Sequence, residues 1–294
     1  MNATAPASGI APTISAWFEA NGRDLPWRRE GFSAWGTLVS EFMLQQTPVA
    51  RVIPALERWL TRWPTPADLA AEPPGEAVRA WERLGYPRRA LNLHGAATAI
   101  AERHGNVVPA DVVELLALPG VGPYTARAVA AFAYGIRTPV VDTNVRRVIA
   151  RALRGQGEAG PPRTVAELAE MEALLPADER RARLVNAGTM ELGQTVCTPL
   201  APRCEECPVA DACAWRAAGY PPYTGVRAPV QKKYEGSDRQ VRGLVLRELR
   251  ASDTPVPATV VEGLWPDAAQ LARALDGLLR DGLIVRDGSE YALP

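Results

Sequence analysis

Apolar residues recur at intervals of three and four along most of the chain, and alternating runs are short. "SAWGTLVSEFMLQQ" (33–46) opens on a serine and continues at helical spacing. In "TPVARVIPALERWLTRW" (47–63) a threonine cap precedes a proline at the first helical position, and "TPADLAA" (65–71) repeats that signal. Further helices are predicted at 76–84, 87–104, 111–117, 123–135, 143–153, 164–175 and 179–193. "TPVV" (138–141) typifies the β-branched segments, which are too short for a large sheet. Residues 219–237 are rich in proline, glycine and basic side chains and mark a boundary. Beyond it come a helix at 238–251, a short apolar piece "ATVVEGLW", a helix at 267–282 and a hairpin turned at "RDGSE". That order describes a small winged-helix-like module, a type that binds DNA in some proteins and only proteins in others. No internal repeat or low-complexity tract is evident.

Composition adds bounds. With 294 residues, 47% of them hydrophobic and 22% charged, the chain is an ordinary soluble protein of one large or two smaller domains. No apolar run approaches the roughly 20 residues of a membrane span. "MNATAPASGIAPTIS" lacks the basic start and apolar core of a signal peptide. A cytoplasmic address without a membrane partner is expected, and it makes disulfides the poorest use of the cysteines. Net charge is zero, so bulk electrostatics give no argument for a nucleic-acid partner. The distribution says more: "VRRVIARALRG" (145–155) has four arginines and no acid, and 226–250 has seven basic residues against three acidic. "YPRRALNLHG" (86–95) adds two arginines and a histidine, while acids gather in "ELAEMEALLPADE" (167–179). These stripes are either phosphate contacts or solvated helix faces.

The two histidines, His94 and His104, share one predicted amphipathic helix, so a Ser-His-Asp mechanism is not expected. Carboxylates and tyrosines must carry any proton chemistry. Glu41 has Leu38, Val39, Phe42, Met43 and Leu44 as neighbours; facing them it would be desolvated and kept protonated, as a general acid requires. The competing reading is a surface glutamate at the helix edge. Asp142 stands where a strand-like segment meets a helix, an N-cap position whose amides favour the ionised form. A cap alone is the competing reading. Together they would make a pair pushed apart in pKa, the arrangement that cleaves glycosidic bonds. "LPGVG" (118–122) lies between two helical segments, where Gly120 and Gly122 permit backbone conformations closed to other residues and helix-start amides suit a phosphate oxygen. Taken alone, the pattern favours a plain helix–turn–helix connection. All four cysteines fall within 197–213, at gaps of six, two and five residues, leaving disulfides, zinc or an iron–sulfur cluster open.

Seven segments occur here in the order of one family: "LPWR" (25–28), "SEFMLQQTPVARVIP" (40–54), "RLGYPRRALNLH" (83–94), "LPGVGPYTA" (118–126), "VVDTNVRRV" (140–148), "MELG" (190–193) and the cysteine loop. From about residue 12 to 220 the chain resembles the MutY-type adenine DNA glycosylases of the helix-hairpin-helix superfamily that includes endonuclease III. The resemblance implies an all-α, two-lobed glycosylase domain over 1–225, a linker at 226–237 and the winged-helix-like module at 238–294. It implies a 4Fe–4S cluster on Cys197, Cys204, Cys207 and Cys213, whose spacing differs from the two short pairs usual for four-thiolate zinc. Its partner would be double-stranded DNA carrying adenine opposite 8-oxoguanine or guanine, bound by a monomer. Carried over by position, Glu41 protonates adenine at N7, Asp142 stabilises the sugar cation, Tyr124 hydrogen-bonds within the catalytic group and Asn144 positions the aspartate. Arg23, Trp27, Arg28 and Leu44 match adenine-pocket positions. Gln46, Thr47 and Tyr86 match positions that wedge into the duplex, since a stacked base must be extruded first. Gly120 and Gly122 hold the phosphate backbone, and Arg203 is a phosphate contact.

Tyrosine at 124 stands where the strand-cleaving endonuclease III type has lysine, so a monofunctional enzyme is expected. The chain departs from the family at Thr143 within "VDTN", at Ala187 where members carry Gln or Glu, and at Pro87 where a second aromatic is common. The carboxy-terminal region is too short for the Nudix-like domain that many members use to recognise oxidised guanine. Two rivals remain: a thymine- or oxidised-pyrimidine-specific glycosylase, and a non-catalytic iron–sulfur DNA-binding regulator.

Overall fold

The computed structural model describes residues 9–227 and 233–294; residues 228–232 of the expected linker lie outside them. In chain order the helices are α1 (Ile10–Asn21), α2 (Ala34–Leu44), α3 (Val49–Arg62), α4 (Pro66–Ala70), α5 (Pro74–Ala80) and α6 (Arg88–Arg103). They continue as α7 (Val112–Leu116), α8 (Pro123–Tyr134), α9 (Thr143–Ala152), α10 (Thr164–Leu174), α11 (Glu179–Thr195) and α12 (Ala214–Ala217). After the described residues resume come α13 (Asp238–Ala251), β1 (Val256–Pro257), α14 (Ala258–Glu262), α15 (Ala268–Arg280), β2 (Val285–Asp287) and β3 (Glu290–Ala292). The mostly helical architecture expected from the sequence is present. The expected hairpin is β2–β3; unexpected were α1 and β1, which completes a small antiparallel sheet in the order β1-β3-β2 with Tyr291 opposite Val256 and Arg286.

The chain forms two units. One comprises the described residues among 1–34, 110–112 and 122–229, and the other those among 35–109, 113–121 and 230–294. In the first, α11 is the spine: α1 and α9 pack against it, burying Ile10, Ile14, Val145, Ile149, Val185 and Leu192. Gly193 makes the α9 contact possible, since a Cβ there would lie 2.7 Å from Asn144 Cβ. Among the described residues, the 138–141 segment pairs with no strand. Asn186 of α11 takes that role, accepting from the Val140 amide (2.9 Å) and donating to the Thr138 carbonyl (3.0 Å).

In the second unit α6 packs on α4 and α5, and three indoles, Trp59, Trp63 and Trp81, meet edge to face in the core. Thr65 caps α4 reciprocally with Asp68, with Pro66 at the first helical position. The matching expectation for Thr47 fails: α3 is preceded by Pro48, and the Thr47 hydroxyl donates instead to the Leu84 carbonyl (2.9 Å). Within the same unit α13 packs on α15 through Val241, Val245, Leu249, Leu271 and Leu278.

Candidate active site and cysteine loop

Helix α2 carries Glu41. Every residue of it from Trp35 to Met43 is buried, and Glu41 itself is only 6% exposed. It is therefore no surface glutamate. Leu44 lies half-buried at the helix end, and the backbone then turns sharply, with Gln46 exposed at a φ of +55°. Tyr86 is also exposed, at φ +46°. Thr47 behaves differently: it is buried, its hydroxyl spent on Leu84 and on Arg89, so its side chain is committed inside the protein.

The organiser of this region is Arg89, which sequence reading counted only as part of a basic stripe. Nη1 donates to the carbonyls of Phe42 (2.7 Å), Met43 (3.1 Å) and Gln45 (2.5 Å), closing the end of α2. Nη2 reaches Thr47 Oγ1 (3.0 Å) and the carbonyls of Leu84 (3.2 Å) and Gly85 (2.9 Å). Burial among these neutral acceptors pulls its guanidinium down to about 10.

At the hairpin, Gly120 has φ +72°, and a Cβ there would meet Asn92 Cβ at 2.4 Å. Gly122 differs from expectation: its φ of −92° is open to any residue, and an added Cβ would meet nothing. The glycine requirement of the loop thus rests on Gly120, while Gly122 leaves the start of α8 uncovered.

In the first unit Asp142 caps α9, Oδ1 accepting from the Val145 amide (2.7 Å) and Oδ2 from Asn144 Nδ2 (2.7 Å). The sequence suggested that such bonds favour the anion. They do, but desolvation outweighs them and the carboxyl titrates above an ordinary aspartate. Tyr124, in the first turn of α8, packs half-buried on Ala128, Ala131 and Val140, the last of these two residues before Asp142. Trp27 lies half-buried in a 3-10 turn, Pro26–Arg28. Arg23 and Arg28 converge on Glu191 of α11, which is 1% exposed. Arg23 holds both carboxylate oxygens (2.5 and 2.8 Å) and Arg28 Nη2 one of them (2.8 Å). Burial raises the Glu191 carboxyl, yet the two guanidinia outweigh it and leave it below its ordinary value. "MELG" thus encodes an anchor at Glu191 and a close approach at Gly193.

Asn144 continues from Asp142 toward the cysteines. Its Oδ1 accepts from Arg147 Nη2 (2.8 Å), and Arg147 Nε donates to the Cys197 carbonyl (2.7 Å). One turn on, Arg151 is 4% exposed, with Nη1 reaching Cys197 Sγ (3.3 Å) and the Thr198 carbonyl (2.8 Å) and Nη2 the Pro199 carbonyl (3.1 Å). Trp215 covers its guanidinium at 4.7 Å. The four cysteines line one open pocket with Arg151, Val196 and Trp215. Among the described residues, no three His, Cys, Asp or Glu side chains are placed to hold a single metal ion. Arg203 is half-exposed, donating to the Thr195 carbonyl (2.8 Å) and pairing with Glu206 (2.6 Å). The basic stripe on α9 is neither phosphate surface nor solvated face: Arg146 pairs with Glu167, Arg154 with Glu170, and Arg147 and Arg151 serve the loop.

Residues 39–172 match the family model described as HhH-GPD superfamily base excision DNA repair protein. The adenine DNA glycosylase of Mycobacterium tuberculosis is 52% identical over 284 residues, covering 96% of this chain and 92% of that one. The chain belongs to the adenine DNA glycosylase family. Solved structures agree with its fold. A thermostable thymine-DNA glycosylase superposes with TM-score 0.64 at 27% identity, covering 72% of this chain and 97% of that one. Endonuclease III from a non-covalent DNA complex gives 0.62 at 21%, covering 73% and 98%. For an adenine DNA glycosylase, the residues that sequence reading missed are Arg89, Arg147, Arg151 and Glu191. The spacing of 147 and 151 on one helix face was the available signal, though nothing in it distinguishes an inward arginine from an outward one.

Proposed function

We propose that this base-excision-repair adenine glycosylase hydrolyses the N-glycosidic bond of adenine opposite 8-oxoguanine or guanine in double-stranded DNA, without cutting the strand. The observation that carries the reading is the burial of Glu41 within α2. Glu41 donates a proton to N7 of the extruded adenine, making the base a better leaving group. Departure of the base leaves a sugar cation. Asp142, ionised and poorly hydrated, stabilises that cation more strongly than a solvated carboxylate would. Asn144 fixes one of its oxygens, and water then completes the hydrolysis. Tyr124 has no amine to attack the sugar, so no Schiff base forms. Arg23 and Arg28, fixed on Glu191, hold the segment bearing Trp27 at the adenine; Gln46 and Tyr86 enter the duplex, and Gly120 with Gly122 meets the phosphates.

The four thiols fit a 4Fe–4S cluster. They ring one pocket, and burial pushes the Cys207 thiol up to about 11, so thiolates there call for a metal partner. Cys197, Cys204, Cys207 and Cys213 would hold the cluster, its bonds would cross-link residues 197–213, and Arg203 of that loop would meet the DNA backbone.

Single-turnover excision on 8-oxoguanine:A, G:A and T:G duplexes tests the substrate. Adenine release from the first two supports the assignment; preferential release of thymine overturns it. Glu41→Gln and Asp142→Asn are each expected to slow release by about 10²–10⁴-fold, the range for an acid–base group. Borohydride is expected to trap no covalent adduct.

A further inference from the structure

Tyr86 stands in a turn whose backbone is unusually demanding. Glu82, Gly85 and Tyr86 have φ values of +45°, +79° and +46°, and two of the three carry a Cβ. Such geometry persists only where surrounding structure over-determines it. Here the carbonyls are gripped one by one. Leu84 accepts from Thr47 Oγ1 (2.9 Å) and Arg89 (3.2 Å). Gly85 accepts from Arg89 (2.9 Å) and Trp81 Nε1 (2.9 Å). Those donors lie in or next to the helices around the turn. The grip on Glu82 comes from elsewhere: Arg250, at the end of α13, donates from Nη1 to the Glu82 carbonyl (2.6 Å) across 168 residues of sequence.

Arg250 makes a built contact. Its Nε donates to the Val78 carbonyl (2.9 Å) near the end of α5, so the guanidinium bridges that helix and the turn. The Arg79 guanidinium in turn donates to the Arg250 carbonyl. Arg250 is half-buried, and that burial lowers its guanidinium to about 10 although the Glu82 carboxylate works in the opposite direction. A second link flanks Tyr86 on its other side, where Arg88 lies 3.6 Å from Asp281, an aspartate that Arg242 also holds. The Gly75 amide donates to the Pro294 carbonyl (2.7 Å), tying the last residue to the start of α5.

We propose that Arg250 is a positioning residue through which residues 238–294 set the turn bearing Tyr86, so that this module acts on mismatch recognition through that turn. The proposal rests on Tyr86 entering the duplex, as argued above. It assigns a role to a region whose architecture alone leaves nucleic-acid and protein partners equally open.

The test uses the full chain. Dissociation constants are measured for a duplex with a non-hydrolysable 2′-fluoro-adenosine opposite 8-oxoguanine and for the matched duplex of the same sequence. The variants are Arg250→Met, Arg250→Lys, Tyr86→Ala and the Met/Ala double. Arg250→Met is expected to reduce the mismatch-over-matched affinity ratio about tenfold, with matched binding unchanged, and to have no further effect once Tyr86 is alanine. Arg250→Lys keeps the charge but cannot bridge both carbonyls, and is expected to reduce the ratio about threefold. Should Arg250→Met fail to fold, a wild-type ratio for Arg250→Lys overturns the proposal. Equal weakening on both duplexes, or an undiminished effect in the alanine background, overturns it too and identifies Arg250 as a plain structural tie. A wild-type ratio for Tyr86→Ala overturns the wedge reading and this proposal together, an outcome distinct from loss in Tyr86→Ala without loss in Arg250→Met.

Discussion

Asp142 receives two hydrogen bonds that favour its anion, yet its carboxyl titrates above an ordinary aspartate because desolvation is the larger effect. Activity that needs the anion is therefore lost, as pH falls, at a higher pH than an exposed aspartate would dictate. Asn144→Leu removes one of the anion-favouring bonds and is expected to move the acid limb of the single-turnover rate profile further up. Glu191 has the opposite sign. Its folded-state pKa is depressed below the ordinary 4.5, so it contributes stability fully present above that value and lost as pH falls through the folded pKa. Glu191→Gln is expected to flatten the acid decline of Tm while lowering Tm near neutrality, measured by thermal melts across pH. Sequence reading reached Asp142 and its capping role because a cap is local. The sign of its titration was illegible, since desolvation comes from groups packed around it that no short window contains.

Among elements, α9 teaches most. The four arginines on and just after it read as either phosphate contacts or a solvated face, and the acids of 167–179 as a separate run. They are complementary halves of one contact, Arg146 with Glu167 and Arg154 with Glu170. Charge runs show that compensation is needed but not whether a solvent, a ligand or a neighbouring helix supplies it. Helix positions were readable for the opposite reason: periodicity is a property of the segment itself, and α2 to α11 fall close to their expected places, whereas α1, which opens on a glycine without a side-chain cap, was missed. The hairpin offers a clean contrast. Gly120→Ala must adopt a left-handed φ and press on Asn92, an expected loss of about 2 kcal/mol or more; Gly122→Ala, unhindered, is expected to stay within about 0.5 kcal/mol. Urea denaturation of the two variants checks this. For the cysteine loop, Arg151→Met removes donors to three loop positions and is expected to speed iron release to a chelator, followed by iron content against time.

At the scale of the molecule, neither unit is a continuous stretch of chain. Arg250, Arg88 and Gly75 all join residues of 233–294 to those of 35–109. Deleting 238–294 is therefore expected to lower Tm and uncover buried apolar side chains, read by melts and dye binding. A truncation that melts like the full chain would show those joints to be dispensable. The same joints set a schedule for synthesis. Glu82 leaves the ribosome 168 residues ahead of Arg250, an interval of roughly ten to thirty seconds at ordinary elongation rates. Through that interval α5 and its turn lack this joint while much of the other unit is being made, and a segment translated later supplies it.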